Sequence, residues 1–312
     1  MICDGNWAAQ LSGRSGMATF INPFTDFGFK RIFGQEDHKR ILIGFLNALF
    51  EGEFVVKDLV YRDKEQLGEV RQDRTVIYDI YCTLDDGSHV IVEMQNKREV
   101  NFADRALYYA SMSIVSQGKK GGEWNYQCAP VIGVYFLNYR QEELGQAFRS
   151  DFEITKTREM FAHTALTPEK VGERKETKPK DVPFEGKLHL VFLQMPEFTK
   201  TESECATALD KWVYIMNHME KLTNIPWAAQ DELYAELAKV SNVAALSPQE
   251  RAAYEETLKQ YRDNIACYQA AVEDGMKIEK QETARKMLAK GFDIGTIAEI
   301  TALSIEEIEA LQ

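Results

Sequence analysis

Two strand-like runs separated by a short turn constrain the fold of this chain more than any other segment. The first run, residues 75–83, carries a single acid, Asp79, among mostly apolar neighbours, and the second, residues 89–95, ends in Glu93 and Gln95. Because side chains alternate across a strand, Glu93 and Gln95 share one face, while two valines and a methionine fill the other. The pattern predicts a β-hairpin with carboxylates near one end.

The register of this hairpin depends on the length of its turn. A three-residue loop at residues 85–87, with Gly87 in the left-handed conformation, places Asp79 opposite Glu93. A two-residue loop places Asp79 opposite Met94 instead. The sequence leaves both registers open, and only the first brings the two carboxylates together.

Carboxylates on an otherwise apolar sheet are costly to bury unless they bind a partner. A divalent metal ion is the natural partner, because hard cations prefer carboxylate oxygens. The alternative is a hairpin with one solvent-facing side, which alternates apolar and polar residues in the same way. Both interpretations fit the spacing of Asp79, Glu93 and Gln95.

Composition is that of an ordinary globular protein. Hydrophobic residues make up 45% and charged residues 28% of the sequence, and both fractions are typical of globular domains. No apolar run approaches the roughly 20 residues that a membrane helix needs, so we expect no membrane partner. The five cysteines are scattered and form no Cys-x-x-Cys pair. This spacing argues against a zinc ribbon and favours a cytoplasmic protein with reduced thiols.

Negative charge is concentrated in the second half of the chain. The formal net charge is −12; residues 1–150 hold 17 lysines and arginines against 20 acids, and residues 151–312 hold 20 against 29. Proteins that contact phosphates usually show a basic patch. The acidity therefore argues against nucleic-acid binding by the second half more strongly than by the first.

We expect three regions along the chain. Residues 1–16 are either a disordered extension or an over-extended start, since Met17 reads like a natural first residue. Residues 17–200 form the principal domain, and residues 201–312 form a helical region. Periodicity predicts helices at 32–50 and 101–117, strands at 54–61, 75–83, 89–95, 131–137 and 188–193, a loop at 170–186, and later helices at 208–219, 231–240, 248–271 and 277–288.

The end of the chain resembles a helix-turn-helix. Residues 294–300 and 304–311 read as two short helices joined by a tight turn, and Ser304 with Glu307 forms a capping box. The second helix carries glutamates but no lysine or arginine, and like charges repel phosphates. The sequence therefore favours helix packing or self-association over DNA reading here. The C-terminal helices are the candidate surface of a homo-oligomer.

Five segments, taken in order, resemble the PD-(D/E)xK nuclease superfamily and, within it, the recombination-promoting nuclease / putative transposase family. They are residues 22–34, Asp79, the Glu-x-Gln at 93–95, residues 104–111 and residues 130–139. Each segment alone is a weak signal, and their order carries the resemblance. Gln95 stands where the superfamily motif has lysine, and the family it resembles also has glutamine there.

The resemblance implies an α/β fold with a restriction-endonuclease-like mixed sheet flanked by helices, followed by the C-terminal helical region. It also implies Mg²⁺-dependent (or Mn²⁺-dependent) hydrolysis of DNA. Asp79, Glu93 and the backbone carbonyl of Met94 are then the metal ligands, and Gln95 orients water or phosphate.

Four further side chains are candidates for the active site, and for most of them an ordinary structural role explains the sequence as well. Asp26 is either another acid at the metal or an acid favoured by the positive end of its helix. Lys97 either supplies the charge that Gln95 lacks or is an exposed strand-end lysine. Arg105 with Tyr108 either binds substrate phosphate or, in the case of Arg105, forms a salt bridge to an acid such as Glu99.

Two other functions compete with a DNA endonuclease. One is a catalytically inactive nuclease fold that binds nucleic acid or protein. The other is an enzyme that acts on a different phosphate substrate. The sequence contains neither Gly-x-x-x-x-Gly-Lys nor Gly-x-Gly-x-x-Gly, so it offers no phosphate-binding loop in support of nucleotide binding.

Overall fold

A computed structural model of the chain describes residues 18–63, 65–66, 76–118, 125–154 and 186–311. The chain divides into two compact units, Met1–Tyr254 and Glu255–Gln312. The expected N-terminal extension at 1–16 lies outside the described residues, as does nearly all of the expected loop at 170–186. No described helix is both long enough and apolar enough to cross a membrane.

The described helices and strands follow one another in this order: α1 Asp26–Phe33, α2 Lys39–Leu49, β1 Leu59–Tyr61, β2 Glu65–Gln66, β3 Val76–Ile77, β4 Ile80–Leu84, β5 His89–Gln95, α3 Phe102–Val115, β6 Val131–Leu137, β7 Arg149–Glu153, β8 Leu188–Gln194, α4 Ala208–His218, α5 Glu232–Val240, α6 Pro248–Ala289, α7 Ile294–Thr301 and α8 Ile305–Glu309.

The first unit is built on a mixed six-stranded sheet with the strand order β1-β4-β5-β6-β8-β7. The three central strands β5, β6 and β8 run parallel, while β1, β4 and β7 pair antiparallel towards the two edges. Helix α3 connects β5 to β6, which is the crossover that a parallel pair requires. The sheet with its flanking helices is the α/β fold predicted from the sequence.

One face of the sheet carries an aromatic cluster centred on Phe136 of β6. Its ring lies 5.4 Å from that of Phe29 and 5.1 Å from that of Phe45, which fixes α1 and α2 on this face. Trp212 of α4 joins the cluster with its ring 6.1 Å from Phe45. All of these side chains are fully buried, and packed aromatic pairs stabilise a core beyond the area that they bury. The start of α1 is thereby held against the sheet.

The opposite face is covered by α3. Tyr135 of β6 stacks on Phe192 of β8 at 5.1 Å, and Phe102 of α3 packs edge-on against Tyr135 at 5.7 Å. The Tyr135 hydroxyl donates a hydrogen bond to the carbonyl of Ala106 at 3.0 Å. Buried tyrosines usually pair their hydroxyl in this way. The first turns of α3 are thus fixed above β6 and β8.

Several predicted boundaries differ from the observed ones. The helix predicted at 32–50 is two helices, because α1 ends at Gly34, whose amide donates to the carbonyl of Lys30. The apolar positions of the predicted helix are nevertheless buried as expected. The strand predicted at 54–61 shortens to β1, and the strand predicted at 75–83 divides into β3 and β4, with a bend at Asp79.

The edge strand β7 was not predicted. Its residues, Arg149–Glu153, are mostly polar and only partly buried, so they lack the alternation that indicates a strand. They pair antiparallel with β8. The central strands β5 and β6 begin and end where the sequence places them.

Helices α4 and α5 pack on α2 within the first unit, and the division between the units falls after Tyr254. The sequence places a domain boundary near residue 200, before these helices. Asn22, before α1, contacts the segment after α4 and the start of α6. Its side chain donates to Glu220 at 2.9 Å, and its backbone amide donates to the Tyr254 hydroxyl at 2.8 Å.

The second unit consists of most of α6 together with α7 and α8. The two helices predicted at 248–271 and 277–288 form the single helix α6, because the helix continues through Gly275, a residue that helices tolerate at a modest cost. The small core of this unit comprises Ala284, Ile297, Leu303 and Ile308. The predicted capping box of Ser304 and Glu307 is confirmed at the start of α8.

Candidate active site

The hairpin of β4 and β5 has the register that brings the two acids together. Ile80 pairs with Val92, so Asp79 comes opposite Glu93. The Leu84 amide donates to the Ser88 carbonyl at 2.8 Å, which leaves a three-residue loop. Gly87 in that loop has a φ of 89°, a conformation that glycine adopts readily. Of the two loops that the sequence left open, the structure therefore has the three-residue one.

Each of the two carboxylates accepts a hydrogen bond from a backbone amide across the hairpin. The Asp79 amide donates to Glu93 Oε1 at 2.9 Å, and the Met94 amide donates to Asp79 Oδ2 at 3.0 Å. Gln95 lies at the same end of β5, with its side-chain amide 3.5 Å from Glu93 Oε2. This end of the hairpin therefore gathers Asp79, Glu93 and Gln95, and it lies in the middle of the sheet rather than on an edge strand.

Glu93 has an unusual electrostatic environment. Its side chain is only 4% exposed. Burial, and after it the charge of Asp79, raise the pKa of Glu93 well above its ordinary value, while Arg105 and Lys30 act in the opposite direction without cancelling the rise. Two carboxylates without a cation between them repel, which favours the protonated form of one. A bound cation would reverse this preference.

The residues at this site fit a divalent metal ion. The N–H and C=O of a strand residue point to the same side, so the Met94 carbonyl is directed towards Asp79, as its amide is. Two carboxylates and one carbonyl are the hard oxygen donors that Mg²⁺ and Mn²⁺ accept. Within the described ranges, no group of three or more His, Cys, Asp or Glu side chains could hold a metal. A cation here would therefore also need the backbone oxygen and water.

The other acidic and basic candidates are exposed, and one of them pairs with a lysine. Asp26 lies in the first turn of α1, is more than half exposed and pairs with Lys30 at 2.5 Å. Lys97 is exposed, and it has no ion pair with any described residue. Lys30 lowers the pKa of Glu93, in opposition to burial and to the charge of Asp79.

Arg105 is already paired. Its guanidinium lies 2.5 Å from the Glu99 carboxylate and above the rings of Phe102 and Tyr109. The salt bridge that the sequence offered as the alternative is thus present. Tyr108, on the same helix, is 44% exposed. Arg105 and Tyr108 line one surface groove together with Glu99 and Asp104.

Two polar residues at the site were not singled out from the sequence. Asn96 follows the Glu-x-Gln motif, and its side chain donates to the Phe24 carbonyl at 2.7 Å, just before α1. Asn138, after β6, donates to Asn96 Oδ1 at 3.1 Å. These bonds tie the start of α1 to the end of β5. The only signal in the sequence was that both asparagines directly follow a buried strand.

The raised pKa of Glu93 predicts a pH-dependent stability in metal-free buffer. Above the ordinary glutamate pKa, the folded chain holds a proton on Glu93 that the unfolded chain has lost, so the free energy of unfolding should fall as pH rises from about 5. Urea unfolding at several pH values measures this fall. Glu93→Gln should flatten the curve, whereas Glu142→Gln, at an exposed position, should leave it unchanged. An identical fall in the Glu93→Gln protein would contradict the prediction.

The mixed sheet and the acids at the end of its hairpin define a restriction-endonuclease-like class of protein. A family model described as "PD-(D/E)XK nuclease family transposase" matches residues 23–167 and 170–271, and the chain belongs to this family. A second model, "Rpn/YhgA-like nuclease family, C-terminal HTH domain", matches residues 277–312. The family suggested by the five sequence segments is confirmed, as is the helix-turn-helix at the end of the chain.

No curated protein and no solved structure matches the chain.

Proposed function

We propose that this protein is a metal-dependent endonuclease that hydrolyses phosphodiester bonds in DNA. The observation that carries the proposal is the pairing of Asp79 with Glu93 at the end of β5, where the Met94 amide donates to Asp79 and strand geometry turns the Met94 carbonyl to the same side. A nuclease-like role follows from the family; the reaction, the metal and the residues below are our inference. DNA is the proposed partner, and the cytoplasm is the proposed location.

Asp79, Glu93 and the Met94 carbonyl would hold Mg²⁺ or Mn²⁺. Such an ion, when bound, activates water at neutral pH and stabilises the charge that develops on the phosphate and on the leaving oxygen. The raised pKa of Glu93 means that this residue would release its proton as the cation binds, because metal ligands must be deprotonated.

Gln95 would orient the attacking water or the phosphate. An amide cannot accept a proton at neutral pH, so Gln95 replaces the lysine of the wider superfamily only as a hydrogen-bonding group. Its position 3.5 Å from Glu93 Oε2 puts it next to the proposed ligands. Water bound to the metal has a lowered pKa and would need no strong separate base.

Positive charge near the site would position the substrate phosphate. Lys97 is exposed at the end of β5, and Lys30 lies within electrostatic reach of Glu93. Arg105 would need to exchange its Glu99 partner for phosphate, with Tyr108 beside it in the same groove. Asp26 holds Lys30, so we assign it a positioning role or a further role at the metal.

Cleavage of supercoiled plasmid tests the proposal. The wild-type protein should nick or linearise plasmid with Mg²⁺ or Mn²⁺ and should be inactive in EDTA. Asp79→Asn should remove this activity, while Asp37→Asn, at an exposed position before α2, should retain it. A wild type that binds DNA without cutting it in any divalent metal would instead support the catalytically inactive binding module. Equal cleavage by all three proteins would place the active site elsewhere.

A further inference from the structure

Helix α6 carries an exposed apolar stripe in the second unit. Tyr268, Val272 and Met276 are 52%, 40% and 48% exposed, and Ile265 is half-buried. All ten positions from 271 to 280 are exposed, so no other described part of the chain covers this stretch. A helix without a packing partner is only marginally stable in water. We therefore expect another molecule to cover this stretch of α6.

The spacing of the stripe specifies what kind of partner fits. The apolar positions are 258, 261, 265, 268 and 272, with steps that alternate between three and four residues. This is the average period of 3.5 that forms the seam of a coiled coil, in which the side chains of one helix insert between those of another. The next seam position is Gly275, so the seam ends near Met276.

The charges around the stripe favour a second copy of the same chain. The positions that flank its exposed part, Asn264, Gln269 and Ala271, are uncharged. The acids in this stretch, Asp263, Glu273 and Asp274, fall at the outward positions of the heptad. Two copies can therefore meet without like charges facing each other, although the chain as a whole has a net charge of −12. A basic partner would find no acidic rim to recognise.

We propose that two copies of this protein associate through a two-stranded coiled coil formed by residues 258–276 of α6. The association would place two helix-turn-helix domains, residues 277–312, in one particle. The inference rests on the exposure, spacing and charge of α6 and does not depend on nuclease activity.

Sedimentation of the full-length chain over a range of concentrations tests the dimer. The wild type should shift from monomer to dimer, and Tyr268→Glu and Val272→Glu should raise the dissociation constant at least tenfold, because each would place a charge in the seam. Ala270→Glu adds the same charge at an outward, exposed position of the same turn and should dimerise like the wild type. Circular dichroism should show that all four proteins retain their helix content.

The dependence of the unfolding midpoint on protein concentration is a second test of the dimer, independent of sedimentation. Because a ligand of the folded state raises the unfolding midpoint by mass action, the wild-type midpoint should rise with protein concentration, and that of Val272→Glu should not. A wild type that stays monomeric at high concentration would overturn the proposal. So would a Val272→Glu protein that dimerises as tightly as Ala270→Glu.

Discussion

Replacing Glu93 with glutamine should reduce DNA cleavage by a factor on the order of 10³ or more, because the chain loses an anionic ligand of the proposed metal. Glutamine keeps a carbonyl oxygen in the place of Glu93 Oε1, so it can still accept the hydrogen bond from the Asp79 amide. The substitution therefore separates chemistry from folding. Initial rates of plasmid nicking, with the unfolding midpoint measured beside them, give the result.

The variants that lose cleavage, Glu93→Gln and Asp79→Asn, should also bind Mg²⁺ more weakly than the wild type. Mg²⁺ should raise the unfolding midpoint of the wild type, and it should raise those of Glu93→Gln and Asp79→Asn less. In metal-free buffer, both variants should be as stable as the wild type or slightly more stable, since the repulsion between the carboxylates is gone.

Gln95→Ala changes a residue next to the proposed ligands and is compared with the two ligand variants. It should reduce turnover more than Mg²⁺ affinity, because an amide competes poorly for the inner shell of Mg²⁺. Titration calorimetry with Mg²⁺ distinguishes the two effects. Equal Mg²⁺ responses in all of these proteins, with unchanged nicking, would show that the active site lies elsewhere.

Phe136→Ala should be the most destabilising single substitution in the described core, at about 3–5 kcal/mol. Its ring is fully buried among Phe29, Phe33 and Phe45, and removing it leaves a cavity between the sheet and the two N-terminal helices. Chemical denaturation measures the loss.

Phe152→Ala provides the control for this substitution. Phe152 is 50% exposed on the edge strand β7 and its ring contacts Phe192, so its loss should cost roughly 1 kcal/mol or less. If the two substitutions destabilise the chain equally, the aromatic cluster does not have the central role that its burial implies.

The sequence predicts the central strands and their turn well, because both have strong local causes. Strands β5 and β6 are short segments rich in β-branched and aromatic residues, concentrated at 90–92 and 131–136, which is the usual signature of a buried strand. The register of the β4–β5 hairpin depends, in addition, on the conformation of Gly87. Once Gly87 adopts a positive φ, the loop length and the opposition of Asp79 and Glu93 follow.

The features that the sequence did not predict depend on contacts between distant parts of the chain. Strand β7 is specified by its pairing with β8 rather than by its own polar residues. The proximity of Lys30 to Glu93 requires α1 to pack beside the end of β5, a contact over some sixty residues that no local pattern encodes.

The hydrogen bonds that Asp79 and Glu93 accept have a consequence for how relatives of this protein are compared. Each carboxylate accepts a hydrogen bond from a backbone amide across the hairpin, so the pair continues the strand pairing by one step beyond Ile80. Selection for folding alone would then preserve a hydrogen-bond acceptor at both positions, which asparagine and glutamine also provide, in a descendant without the proposed activity. Lys97, which is exposed and pairs with no described residue, has no such second reason to persist. Its retention or loss would be the more informative record of activity in the family.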